Sequence, residues 1–331
     1  TGTIRVSSTN TGDPAQFFSF STTTGTGSLD NQGTVEVLGG YFRVSSGVTN
    51  GTQFEDLTFA QDGGSGTLSG GTWIADSTAT GTARIDLDNF GSSSGITTIG
   101  QDAVVELTGS GATFDQLSSL ATVHGGLYVN GAQSFNPPGF LNISSTGTVG
   151  GDGSFADTLT VNGTVLPGTS RGADVGILGF ANDLVLNSGS SVTLGILAPT
   201  GTVDGSLGSS AMAAAILGLA DMDPTSAMHD AFEVGGSITL NPAMTFNVTD
   251  LGATFQSGQY FDLLDFTTLS GVTDGDLATL LNLPSAGALT WETSLFRSDG
   301  ILFLSGAAIP EPSRALFLSL GFGFLITRRR R

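Results

Sequence analysis

Apolar residues along this chain fall in short alternating runs such as Thr34-Val35-Glu36-Val37, Ala83-Arg84-Ile85-Asp86-Leu87, Val104-Val105-Glu106-Leu107 and Leu159-Thr160-Val161. Gly, Asn, Asp and Ser separate them, so the pattern predicts strands of roughly four to seven residues closed by turns. Successive runs lie roughly 12 to 22 residues apart without long helical patterns between them, a spacing that fits a parallel β-solenoid, a sandwich array or a barrel. Pattern alone does not choose among the three. Two stretches break the texture. Met212, Ile216 and Leu219 stand at helical spacing within Ser209–Phe232, and Asp223-Pro224 reads as an N-cap with proline at the first helical position, which predicts one or two short helices there. Asp276-Leu277-Ala278-Thr279-Leu280-Leu281 predicts another, stopped before Pro284. Such helices are expected either to cover the end of the β body, where unpaired backbone would face solvent, or to form a surface insertion.

Composition supports the strand reading and removes much chemistry. Gly, Ser and Thr fill 130 of 331 positions, and only 12% are charged, against roughly 25% in an ordinary domain. The chain has no lysine, so P-loop ATPases, protein kinases, pyridoxal-phosphate enzymes and Schiff-base aldolases are excluded. It has no cysteine, which removes disulfides, thiolate nucleophiles and thiolate-held metals. Residues 1–308 carry 28 acidic groups against Arg5, Arg43, Arg84, Arg171 and Arg297. A nucleic-acid partner, which needs cations to displace phosphate counterions, is therefore set aside. A mean hydropathy of +0.20 speaks against disorder.

Candidate chemistry is sparse. Gly-x-Ser-x-Gly occurs at Gly91–Gly95 and Gly168–Gly172, but so Gly- and Ser-rich a chain produces such matches by chance, and neither sits between a long strand and a long helix. His124 follows a strand, while His229 falls in the stretch read as helical; nothing brings them together, and packing or surface roles are expected for both. Arg84, Asp86 and Asp88 share one strand face, a row that suits catalysis, calcium or simply the solvent side of an exposed strand. The last is expected. Asp221/Asp223, Asp262/Asp265 and Asp274/Asp276 are close pairs in expected loops, and Gly150-Gly151-Asp152-Gly153-Ser154-Phe155 begins like a calcium nonapeptide but has Phe155 where aspartate belongs. No calcium ligand set is complete, so no cofactor and no metal or catalytic residue is assigned, with a calcium site somewhere in the body kept as an alternative. Trp73 and Trp291 are expected in the core or its cap rather than as sugar-stacking platforms.

Both ends of the chain differ from the body. Thr1-Gly2-Thr3-Ile4-Arg5-Val6 reads as a strand and lacks the charged and apolar regions of a secretion signal, so a signal is expected to have preceded it. At the other end, Ala315, Leu316, Phe317, Leu318, Leu320, Phe322, Phe324, Leu325 and Ile326 dominate an uncharged run over 315–327. As a helix it would reach about 20 Å, short of a roughly 30 Å hydrocarbon layer. Arg328, Arg329, Arg330 and Arg331 follow and would stay on the cytoplasmic side, leaving the body outside. Immediately upstream stand Pro310, Glu311, Pro312 and Ser313, where two prolines keep the segment extended.

The ordered set of Pro-Glu-Pro, apolar run and terminal arginines resembles the PEP-CTERM sorting signal of Gram-negative bacteria that make extracellular polysaccharide. That resemblance implies a transient inner-membrane anchor, recognition at 309–313 by an exosortase-type membrane protease, and delivery to the cell surface or medium. It covers about the last 23 residues and implies an address, not an activity. A second resemblance lies in Gly147–Gly153, Val161–Gly172 and Leu184–Leu194, which look like the β-helix repeats of autotransporter passengers and of exported PEP-CTERM proteins, with a Pro-Gly-x-Ser-x-Gly turn before two strands parted by a polar Gly turn. It implies stacked circuits with apolar side chains inside and small polar residues at the corners. Arg171 is expected at such a corner, in solvent. Residues 255–304 resemble the strands that close the body ahead of such tails.

The expected organisation is an all-β chain: a parallel β-helix (β-solenoid) body over 1–200, a helical insert or cap over 201–232, a terminal β region over 233–305, and a sorting tail with a hydrophobic helix over 306–331. The expected function is a non-enzymatic, exported cell-surface or extracellular-matrix protein of structural or adhesive, biofilm-type character. The alternative is an exported polysaccharide-binding or polysaccharide-cleaving β-helix, with extracellular polysaccharide as partner.

Overall fold

A computed structural model describes residues 2–7, 17–20, 27–29, 31–44, 48–49, 52–53, 57–59, 66–87, 95–137, 139–169, 174–219 and 228–306. The chain is mostly β, and its largest sheet is parallel with 19 strands. Each strand pairs with the equivalent strand one circuit further along, an arrangement consistent with a β-helix.

Three of the ladders that build the core show its plan. In the first, Ile4, Val35, Trp73, Val105, Leu127, Val149, Val165, Val192, Phe246 and Leu281 are successive register partners. All but Ile4 are buried. The second stacks Leu68, Ile99, Val123, Ile143, Val161, Leu186 and Leu240. In the third, Phe135, Phe155, Phe180 and Val234 follow one another. Rings of Phe155 and Phe180 stack at 5.9 Å, and Phe180 meets Phe232 edge-on at 5.5 Å. Strand alternation explains the columns: in-register parallel pairing places like positions on like faces, so every second residue feeds one continuous apolar stack. Each fully buried Val, Leu, Ile or Phe contributes about 1.5–3 kcal/mol.

Corners repeat one backbone hydrogen bond. The N–H groups of His124, Ser144, Asn162, Asn187 and Asn241 donate to Ile99, Val123, Ile143, Val161 and Leu186 of the previous circuit, over 2.7–3.0 Å. Side chains reinforce it, because Asn162 Nδ2 donates to Asn142 Oδ1 at 3.0 Å and Asn187 Nδ2 to Asn162 Oδ1 at 3.1 Å. Glycine at these corners has a steric cause. A Cβ on Gly125 would stand 2.1 Å from the Ala103 carbonyl oxygen, and one on Gly163 would stand 2.1 Å from that of Gly147.

At the far end the pairing changes sense. Gly201–Thr202, Gln259–Asp262, Ile301–Ser305 and Thr290–Glu292 form an antiparallel sheet. Helix α1, Ser209–Leu217, packs Met212 and Ile216 against Tyr260, Leu295 and Phe303 in a small second core. Helix α2, Asp274–Leu280, starts one turn's fraction earlier than the expected Asp276 because Thr273 caps it, its N–H and hydroxyl both donating to Asp276 Oδ2 at 2.7 Å. Leu281 leaves the helix to pair with Phe246 in the first ladder. Trp291 packs against Phe255 and Phe261, and its indole N–H donates to the Pro284 carbonyl oxygen at 2.8 Å.

Of the one or two short helices expected within Ser209–Phe232, α1 is one, and the end of the stretch is corrected. Gly218 ends α1, and Ala231–Phe232 belong to a strand because they pair in register with Ile177–Leu178 in the third ladder. Asp223-Pro224 lies outside the described residues, as do Asp221, Arg171, and the whole tail with its sorting motif, hydrophobic run and arginines. Among the described residues, no helix is long and apolar enough to cross a membrane.

Candidate functional site

The acidic row at Asp86 sits on the outward face of Ala83–Leu87, whose neighbours are Gly40–Val44 on one side and Ala112–Phe114 on the other. Expected as a solvent face, the row is exposed at Arg84 but covered at Asp86, and the expectation is corrected there. Asp86 is only 4% exposed. It accepts from the Tyr41 hydroxyl and, at 2.8 Å, from Gln116 Nε2. Gln116 Oε1 in turn accepts the Leu87 N–H at 2.9 Å. Arg84 lies over the Tyr41 ring, 4.6 Å from its centroid, and forks onto Asp115 through Nε and Nη2. The hydrogen bond to Asp115 comes first among the causes that raise the Arg84 pKa above its ordinary value. These groups hold three circuits together and direct their polar atoms at one another. Asp88 lies outside the described residues.

The histidines occupy different circuits. His124 is an exposed corner residue, whereas His229 is buried beside Ile196 in an isolated antiparallel bridge. Its hydrogen bonds fix its tautomer. The Asp230 carbonyl oxygen can only accept, so Nδ1 carries the proton of the neutral ring and Nε2 accepts from the Thr200 hydroxyl at 2.7 Å, while Thr200 Oγ1 accepts the Asp262 N–H at 2.9 Å. Nδ1–H donates to the Asp230 carbonyl at 3.1 Å. Burial pushes the imidazole pKa down, in keeping with a neutral ring. Next to it Asp230, 2% exposed, accepts the Gly176 N–H at 2.7 Å and the Gly195 N–H at 2.5 Å. Burial raises its carboxyl to about 6, opposed by those two N–H bonds and assisted by Asp174. This junction ties the parallel ladders to the antiparallel end: Gly176 and Gly195 belong to the former, Thr200 and Asp262 to the latter.

Other sequence candidates are spent locally. Asp276 caps α2, and Asp152 Oδ1 accepts the Gly131 N–H at 2.5 Å. Of the two Gly-x-Ser-x-Gly motifs, only Gly95, Gly168 and Thr169 are described, and Thr169 donates its hydroxyl proton to Asp174. Among the described residues no three His, Cys, Asp or Glu converge on a metal position. Trp73 and Trp291 both pack inside, Trp73 fully buried. Sequence reasoning missed Tyr41, Asp115, Gln116, Thr200 and Asp230, since their partners lie in other circuits. One polar cleft opens at the corner where Gly70 and Asp102 pair.

No protein-family model, no curated protein and no solved structure matches the chain.

Proposed function

We propose that this chain is an exported, non-enzymatic cell-surface or extracellular-matrix scaffold with a parallel β-helix body, delivered through its C-terminal tail. The observation that carries the reading is the order Pro310-Glu311-Pro312, apolar run 315–327 and Arg328–Arg331 at one chain end. An acidic, lysine-free body and a repetitive parallel core support it, since a long rod of stacked circuits presents much surface for little sequence information. The tail would hold the body to the inner membrane until an exosortase-type protease acts on it, and the acidic body would remain soluble outside through charge repulsion.

Fusing residues 306–331 to an exported reporter tests the reading in a Gram-negative host with and without its exosortase gene. Expected is a shortened reporter only where the protease is present, and an uncleaved one when Pro310, Glu311 and Pro312 are all changed to alanine. Cleavage that ignores both the protease and the motif contradicts it.

A further inference from the structure

The geometry points to the cleft between residues 32–33, 69–72 and Asp102 as a binding site for one neutral sugar ring of a glycan chain. This needs only the folded body and stands apart from the sorting tail. The cleft encloses about 290 Å³, the low end of the roughly 300–1,000 Å³ that small-molecule sites occupy. That is room for a single ring.

Its lining selects the ligand class. Gln32, Ser69, Thr72 and Asp102 line it together with three glycines, and no large apolar residue does. A hydrocarbon or aromatic guest gains little there, because hydrophobic affinity scales with apolar area removed from water. A guest bearing hydroxyl groups finds hydroxyl and carboxylate groups and polar backbone to bond. Anionic guests meet the Asp102 carboxylate within a strongly acidic body. A divalent cation would want six or more oxygens and more than one carboxylate. The neutral polyhydroxylated guest is what remains.

Backbone in the cleft is held before any ligand arrives. Asn31 is 8% exposed, accepts the Gly33 N–H at 3.0 Å and donates from Nδ2 to the Thr72 carbonyl at 3.4 Å. The buried Trp73 indole donates to the Gly70 carbonyl at 3.0 Å. The opening arises from the register shift between Ile99 and Asp102, which pairs Gly70 with Asp102. One circuit later the same corner is closed, as Gly125 packs against Gly100 and Ala103. A Cβ on Gly70 would touch nothing within 4 Å, whereas on Gly33 or Gly71 it would strike Gly2 or Asn31. Gly70 is thus the position from which a side chain can fill the cleft and spare the fold.

The test is calorimetric titration of the purified full-length chain with cellohexaose, maltohexaose, hexagalacturonate and glycerol. Expected is saturable binding of a neutral hexasaccharide at least tenfold tighter than of hexagalacturonate, accompanied by a change in tryptophan emission from Trp73. Gly70→Leu should weaken it at least tenfold with an unchanged circular-dichroism spectrum. Asp102→Asn, at an exposed residue, should weaken it at least threefold and carries the test if Gly70→Leu misfolds. The inference is overturned if neither neutral hexasaccharide binds, if both variants bind like the parent, if the acidic sugar binds best, or if glycerol binds as tightly as the hexasaccharide.

Discussion

The parallel ladders and the antiparallel end of this molecule are held by different means. Along the ladders successive circuits from His124 to Asn241 repeat the same apolar contact and the same corner bond, so Val123, Ile143 and Val161 each have a neighbour above and below that does the same work. At the end, Phe261, Leu302 and Leu304 join the same apolar core, and the polar links run through single groups: one histidine, one threonine hydroxyl and one aspartate. The apolar packing of the first region is replicated circuit by circuit, whereas the polar links of the second rest on two titratable groups, His229 and Asp230. Substitutions that distinguish the two regions therefore differ in size, reach and pH dependence.

The largest effect is expected inside the ladders. Leu127→Ala removes a fully buried side chain from the middle of the first column and should cost about 2–5 kcal/mol in denaturant unfolding. At the junction, Thr200→Val keeps the volume but strands the Asp262 N–H and His229 Nε2, with an expected cost of about 1–3 kcal/mol. Reach separates the two: amide exchange should rise at 259–262 and 301–305 in Thr200→Val while residues 141–165 stay protected. Exchange rising evenly throughout would erase the distinction between regions.

Acidification sharpens it further, because the two junction groups have opposite signs. His229 has a lowered pKa, so below about 6.5 the unfolded chain binds the proton first and stability falls with pH. Asp230 has a pKa raised to about 6, so between there and the ordinary carboxylate range the folded chain binds the extra proton and stability rises as pH falls. Thermal unfolding between pH 7 and 5 should therefore fall more steeply in Asp230→Asn than in the parent, and less steeply in His229→Gln. Identical slopes in all three would remove the junction from the pH account.

Smaller effects return to the surface of the ladders. Asn162→Ala breaks both bonds of the asparagine column and is expected to cost about 1 kcal/mol. Arg84→Met removes the guanidinium that lies over Tyr41 and an ion pair whose arginine is half exposed, with an expected cost of about 0–1 kcal/mol.

Periodicity made the strands legible. Val35, Val37, Ile85, Val105, Leu107, Leu159 and Val161 all point inward as alternation requires, and both tryptophans lie in apolar clusters. The same rule put Arg84 and Asp86 on the outer face, but it could not show that Tyr41 and Gln116 cover Asp86. Those come from neighbouring circuits, and circuit length is uneven: Thr148 pairs with Thr164, while Ser191 pairs with Thr245. Without a fixed repeat, no spacing in the sequence reveals which residues stack. The Thr200–His229–Asp262 chain stayed hidden for that reason, and so did the cleft, which exists only because two glycine-rich corners fall out of register. Helix α2 was readable because its cap is local, whereas the stretch toward Phe232 was misread because a distant strand, Ile177–Phe180, captures it.

The most direct test of the central claim follows an epitope near each end of the full chain through cell fractionation. The account expects the N-terminal epitope outside the cytoplasmic membrane and the C-terminal one left in the inner-membrane fraction or lost with the tail. A body retained in the cytoplasm with both epitopes intact would contradict it.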